Sequence, residues 1–165
     1  MQEQGSLELY PCNLRWVQCA PEEAQGRCLS AIRDLMMQTG RAGLANADVT
    51  LLTERATFGQ SIVDRLAETG VDALSTFAPA EAERRRQKMG FWKGREQVKA
   101  TTLHSFKGWE SRMLVVHVDQ AFTADSLALV YVALTRLKRS GEGSWLTVIC
   151  SAPELADYGR SWVSK

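Results

Sequence analysis

The chain has 165 residues, enough for one domain with a substantial core. Apolar residues make up 45% and charged residues 24%, ordinary for a globular protein, and a net charge of +1 carries no global basic signature of nucleic-acid binding. No apolar run is long enough to span a membrane, and "MQEQGSLELY" lacks the basic start and apolar stretch of a signal peptide.

Residues 1–10 read as an N-terminal tail ahead of a single domain over 11–165. "LRWVQC" (14–19) reads as a first strand. "PEEAQGRCLSAIRDLMMQTG" (21–40) puts Cys28, Ile32, Leu35 and Met36 on one face, with acidic residues at its start and Gly40 at its end, as a helix prefers. "DVTLLT" (48–53) is a second strand, "ATFGQSIVDRLAETG" (56–70) a second helix closed by glycine, and "VDALST" (71–76) a third strand. "APAEAERRRQKMGFWKGREQ" (78–97) then carries four arginines and two lysines around Phe91 and Trp92. Such a stretch can contact phosphates and stack a base. It also reads as a solvated helix whose aromatics cap the sheet. Strands "VKATTL" (98–103) and "RMLVVHV" (112–118), a helix over 126–139, a strand "SWLTVIC" (144–150) and a short helical tail complete the order.

Strands alternating with helices predict an α/β fold in three layers, α/β/α, on a mostly parallel sheet. "VTLL", "LVV" and "LTVIC" are apolar without alternation, as strands buried on both faces should be. In such sheets ligands bind beyond the carboxyl ends of strands. "HSFKGWE" follows a strand, and so lies where function tends to sit. Cysteines at 12, 19, 28 and 150 form no CxxC pair and read as reduced thiols, which implies a cytoplasmic location. Cys12 and Cys19 with a histidine match no common zinc template, so no metal site is assigned.

A nucleotide-binding P-loop needs Gly-Lys followed by Ser or Thr, and none of the 12 glycines is followed by lysine. Asp119 at the end of "LVVHVD" is only faintly like a magnesium-binding aspartate. Alone, the chain should not hydrolyse a nucleotide. In "YVALTRLKR" (131–139), helical spacing places Tyr131, Thr135 and Lys138 near one face and Arg136 beside Val132 on the next. On periodicity alone this is an amphipathic helix with a cationic last turn.

"TLHSFKGWE", a strand, a variable stretch and then "YVALTR" resembles the last two motifs of UvrD/Rep-type superfamily 1 helicases: Thr-x-His-x-x-Lys-Gly-x-Glu, then Tyr-Val-Ala-x-Thr-Arg. The strand–helix unit "DVTLLTERATFGQSIVDRLAETGV" is similar to an earlier part of the same domain, so the resemblance covers about residues 10–152. It implies the second RecA-like motor domain, a P-loop NTPase fold without the P-loop. Two such domains clamp ATP with Mg2+ between them while single-stranded DNA crosses their upper faces. The resemblance assigns Thr102, His104 and Ser105 to the DNA backbone, where hydroxyl and imidazole groups suit phosphate oxygens. It assigns Lys107, Gly108 and Glu110 to the nucleotide side, Glu110 facing the ribose, and Arg136 to the catalytic arginine finger. Such fingers are worth roughly 10³–10⁵ in rate in GTPases. Tyr131 and Thr135 read as packing and helix support, and so does Trp109, which replaces a leucine, with base stacking its second reading.

The departures from the family pattern limit the expectation. The P-loop domain is missing, and Arg15 does not fit the Tyr-Arg-Ser-type motif that opens the second domain. Only about 20 residues separate the third strand from "VKATTLHS", too few for the family's large accessory insertion. The expected partners are therefore single-stranded DNA and an N-terminal P-loop motor domain, in the same chain or a separate subunit, with movement 3′ to 5′. The alternative is a non-enzymatic, helicase-derived adaptor that docks protein or DNA. A stand-alone nucleotide-binding domain conflicts with the absent Gly-Lys.

Overall fold

A computed structural model describes residues 11–41, 46–92 and 96–162. The expected tail at 1–10 and part of the basic stretch, including Lys93 and Arg95, lie outside the described residues. Six strands, β1 (Cys12–Gln18), β2 (Val49–Thr53), β3 (Ala73–Ser75), β4 (Val98–Thr102), β5 (Met113–Val118) and β6 (Ser144–Cys150), form one sheet. Its order is β1-β6-β5-β2-β4-β3, and every neighbouring pair is parallel. The helices are α1 (Ala24–Arg41), α2 (Ala56–Glu68), α3 (Glu81–Trp92), α4 (Ala124–Leu134) and α5 (Ala156–Arg160).

The three-layer arrangement follows from side chains alternating across each strand. Val49, Leu51, Met113 and Val115 join Cys28, Ile32 and Leu35 of α1 and Ile62 and Leu66 of α2 in one core. Leu52, Leu114, Val116 and Val148 join Phe91 of α3, Leu103 and Phe106 of the connection after β4, and Val130 and Ala133 of α4 in the other. Each such aliphatic side chain, buried fully, contributes about 1.5–3 kcal/mol. β5 is buried at all six positions, which explains why its apolar residues, all but His117, do not alternate with polar ones.

One connection breaks the alternation of strand and helix. β4 is followed by β5, yet β2 lies between them in the sheet. Residues 103–112 therefore run from the carboxyl end of β4 back to the amino end of β5, across one sheet face, without a full helix. The motif-bearing stretch is this crossover.

Candidate functional site

The crossover begins as one capped helical turn. Thr102 closes β4, and its hydroxyl accepts from the Ser105 backbone N–H at 3.3 Å and donates to the Ser105 hydroxyl at 3.1 Å. This is the local geometry that threonine offers a helix start. The Phe106 N–H donates to the Thr102 carbonyl at 3.2 Å, and the Trp109 N–H to the Phe106 carbonyl at 3.1 Å. Gly108, at φ +84°, ends the turn in the left-handed region where a side chain is disfavoured. A Cβ on Gly108 would meet nothing within 4 Å, so backbone conformation, not crowding, requires glycine there. Leu103 and Phe106, both 2% exposed, point into the core and fasten the turn to the sheet.

The polar residues are left on the outside, in two directions. Ser105 faces a groove shared with α3, while His104 and Lys107, both exposed, line a groove against Asp125, Leu129 and Val132 of α4. Trp109 is 42% exposed, so it is not part of the packed core.

The crossover ends at the amino edge of the sheet. Glu110 lines a cavity of about 340 Å³ there with Asp48, Lys99, Arg112 and Lys138. Burial lowers the pKa of Lys99, with Asp48 opposing it, and its ammonium sits 5.5 Å from the Phe91 ring centroid. Lys107 lines the groove with His104 rather than this cavity. Arg112 forks onto both Asp48 carboxylate oxygens at 3.3 and 3.0 Å and also pairs with Glu142.

Ser111 joins the two motifs, and nothing in the sequence pattern marks it. It is buried, and its hydroxyl donates to the Asp48 carbonyl at 2.7 Å and lies 3.2 Å from the Thr50 hydroxyl. Its N–H donates to the Arg136 carbonyl at 3.1 Å, and its carbonyl accepts from the Lys138 N–H at 2.8 Å, a one-residue parallel bridge to Leu137. The bridge sets Glu110 and Arg136 side by side along two chain segments. It also overrides the expected helix over 126–139. α4 stops at Leu134, because residues 136–138 bond to Ser111 instead of continuing the helix. Thr135 supports that end, its hydroxyl donating to the Val132 carbonyl at 2.8 Å. The expected face of Tyr131, Thr135 and Lys138 therefore does not form, and Tyr131 is 69% exposed rather than packed. Arg136 is half-buried, and its Nε donates to the Val132 carbonyl at 3.2 Å.

Other sequence candidates are absorbed into structure. Asp119 pairs with Arg55 at 2.8 Å, and Arg15 with Asp34 at 3.2 Å. Cys12 and Cys19 sit at opposite ends of β1, about 23 Å apart at the usual strand rise, so they do not share a metal ion. Among the described residues no three of His, Cys, Asp and Glu are grouped to hold one. Cys28 and Cys150 are buried, and burial raises both thiol pKa values, that of Cys150 to about 11.

His117, 2% exposed at the carboxyl end of β5, stacks on Phe58 at 4.0 Å, and its Nε2 has no hydrogen-bond partner among the described residues. Burial lowers its pKa to about 4; Asp119 opposes that shift and Arg55 reinforces it. The unfolded chain takes up this proton near pH 6.5, while the folded chain refuses it until about pH 4. Stability should therefore fall as pH drops through that window, by up to about 3 kcal/mol. His117→Phe should remove that part of the fall. Urea midpoints at pH 7 and pH 5 check it, and an equal drop in both proteins would refute the assignment. Burial shifts Glu54 upward, an opposite contribution that both proteins share.

Comparison with models of protein families finds no match, and comparison with curated protein sequences finds no significant one. Among solved structures, the chain is similar to the C-terminal domain of a possible DNA helicase from Lactobacillus plantarum WCFS1, with a TM-score of 0.55 at 13% identity over 90% of this chain and 80% of that one. It is also similar to domain 2 of the DEAD-box helicase Mss116p, solved bound to an RNA duplex, with a TM-score of 0.55 at 15% identity over 86% of this chain and 55% of that one. No described helix is long and apolar enough to cross a membrane. The all-parallel α/β architecture is thus the RecA-like fold of helicase C-terminal domains.

Proposed function

We propose that the chain is the second motor domain of an ATP-dependent DNA helicase or translocase of the UvrD/Rep type, acting with a P-loop domain that lies outside these 165 residues. The observation that carries this reading is the Ser111 bridge, which ties the crossover to Arg136 and gives it two polar ends. At the carboxyl edge, Thr102, His104 and Ser105 present hydroxyl and imidazole groups suited to DNA phosphates. At the amino edge, Glu110 offers a carboxylate to ribose hydroxyls and Arg136 a guanidinium to the γ-phosphate. The P-loop domain supplies the rest of the nucleotide cradle and the ligands of Mg2+. Lys107 and Gly108 act from between the two ends: glycine fixes the turn, and Lys107 adds positive charge beside His104. Movement at the nucleotide cleft shifts the DNA grip through a segment fastened by Phe106 and Ser111.

Thr102→Ala with His104→Ala should weaken binding of a labelled single-stranded oligonucleotide about tenfold, read by fluorescence anisotropy. The chain alone should show no ATPase. With its P-loop partner, ATPase should be stimulated by single-stranded DNA. Unchanged DNA affinity in the double variant would remove the DNA contact from the reading.

A second reading, a docking domain without catalysis, is favoured by one feature. Phe122, Leu127, Tyr131 and Tyr158 are 70%, 45%, 69% and 48% exposed, and the last three line one apolar groove between α4 and α5. Exposed apolar surface of this kind marks a partner. If the Thr102/His104 variant and Arg136 variants were all silent while Tyr131→Ala abolished complex formation, this reading would replace the first.

A further inference from the structure

We propose that the basic face of α3 continues the single-stranded DNA path beyond the Thr102–Ser105 turn, holding backbone phosphates without reading bases. This rests on the assignment of that turn as a DNA contact. The fold itself makes little use of α3. Of residues 81–91 only Phe91 is buried, and residues 81–86, 88 and 89 are all exposed. A helix polar nearly all round takes little stability from its own amphipathicity. Phe91 in the core and the Gln87 side chain on the Ala78 N–H at 3.1 Å secure it. Neither requires arginine or lysine elsewhere on the helix.

The cations are sorted by face. Arg86 pairs with Glu83 at 3.5 Å, away from the groove. Arg84, Arg85 and Lys88 line, with Glu81 and Ser105, a groove of about 310 Å³. Three cations against one carboxylate leave it at +2. Arg85 leans on Glu81 at 3.2 Å, but Arg84 and Lys88, one helical turn apart, make no ion pair among the described residues. Arg85–Glu81 is itself an exposed pair of the kind worth under about 1 kcal/mol, so a phosphate can displace it. Ser105 belongs to the capped turn, so the groove adjoins the proposed DNA contact directly. α3 leaves β3 at the carboxyl edge of the sheet, the same edge at which the turn leaves β4, and the two strands are paired. A flexible polyanion meeting the turn therefore meets the α3 groove next. Single-stranded DNA fits better than a folded acidic protein: contacts of this kind are sequence-independent and need only a backbone that follows a groove.

The test measures binding of labelled oligothymidine to the intact chain across a salt series. Arg84→Ala with Lys88→Ala should lower affinity about tenfold at low salt and reduce the slope of log K against log salt by about 1.4, since each single-strand phosphate contact contributes about 0.7. Arg33→Ala with Arg65→Ala removes equal charge from the opposite layer and should leave the slope unchanged. Equal effects of the two doubles would mean diffuse charge, not a groove, and would overturn the proposal. If Thr102→Ala with His104→Ala weakens binding but the α3 double does not, the groove falls and the turn assignment stands. If the α3 double acts while the turn double is silent, the claimed continuity is wrong. Silence of both overturns the groove and the turn together. Thermal midpoints within a few degrees of wild type establish that each variant is folded; all four residues are exposed.

Discussion

Arg136→Ala, in the chain reconstituted with the proposed P-loop partner, is expected to lower ATPase kcat by about 10³ or more while single-stranded DNA affinity stays within about twofold. The separation follows from position. Arg136 lies at the amino edge, beside Glu110 through the Ser111 bridge, whereas Thr102 and Ser105 sit at the carboxyl edge. Its Nε is held by the Val132 carbonyl at 3.2 Å, which leaves the rest of the guanidinium fork for a phosphate. That hydrogen bond is worth about 1 kcal/mol, so the variant should remain folded. Arg136→Lys keeps the charge and loses the fork, and should recover little of the rate. A reconstituted ATPase running at full speed without Arg136 would remove it from the catalytic role.

Phe106→Ala should cost about 3–5 kcal/mol, a large part of the roughly 5–15 kcal/mol that holds a domain together. Phe106 is a motif residue that no chemical reading singles out. It is 2% exposed, and it joins Leu52, Phe91, Leu103 and Leu114 in one core. Deleting the ring opens a cavity under the one turn that carries His104, Ser105 and Lys107. Phe106→Leu, which keeps most of the volume, should cost under about 1.5 kcal/mol. Urea unfolding at neutral pH measures both. A Phe106→Ala cost below about 1 kcal/mol would mean that the turn stands independently of the core.

The strands are legible because parallel, doubly buried strands carry apolar residues without strict alternation, as β2, β5 and β6 do. α1 and α2 are legible from their apolar faces, but helix ends are not. α4 starts two residues early because Thr123 and Ser126 cap each other reciprocally, and stops at Leu134 because Ser111 takes the next backbone groups. The first signal is local and readable; the second comes from a residue more than twenty positions away and leaves no trace in the helix's own spacing. The same holds for the site. Glycine, lysine and glutamate at motif spacing pointed to the crossover, but its run to the amino edge depends on sheet order, which pattern alone does not give. Lys99 and Arg112, on the rim of the Glu110 cavity, carry no signal in the sequence, because each reads as an ordinary charge beside a strand.

The crossover also acts as a ruler. Ten residues, 103–112, must cover the depth of the sheet and step over β2, and the first six of them are wound into turns with little rise. Most surface loops accept an inserted residue because closure costs grow slowly with length. This one has both ends pinned, by the Thr102 cap and by the Ser111 bridge, so an added residue becomes slack between two edges that are otherwise tied. The length of the segment is thus a mechanical constraint: an insertion between Gly108 and Ser111 would leave Thr102, His104, Lys107 and Arg136 in place and still let one edge of the sheet move without the other.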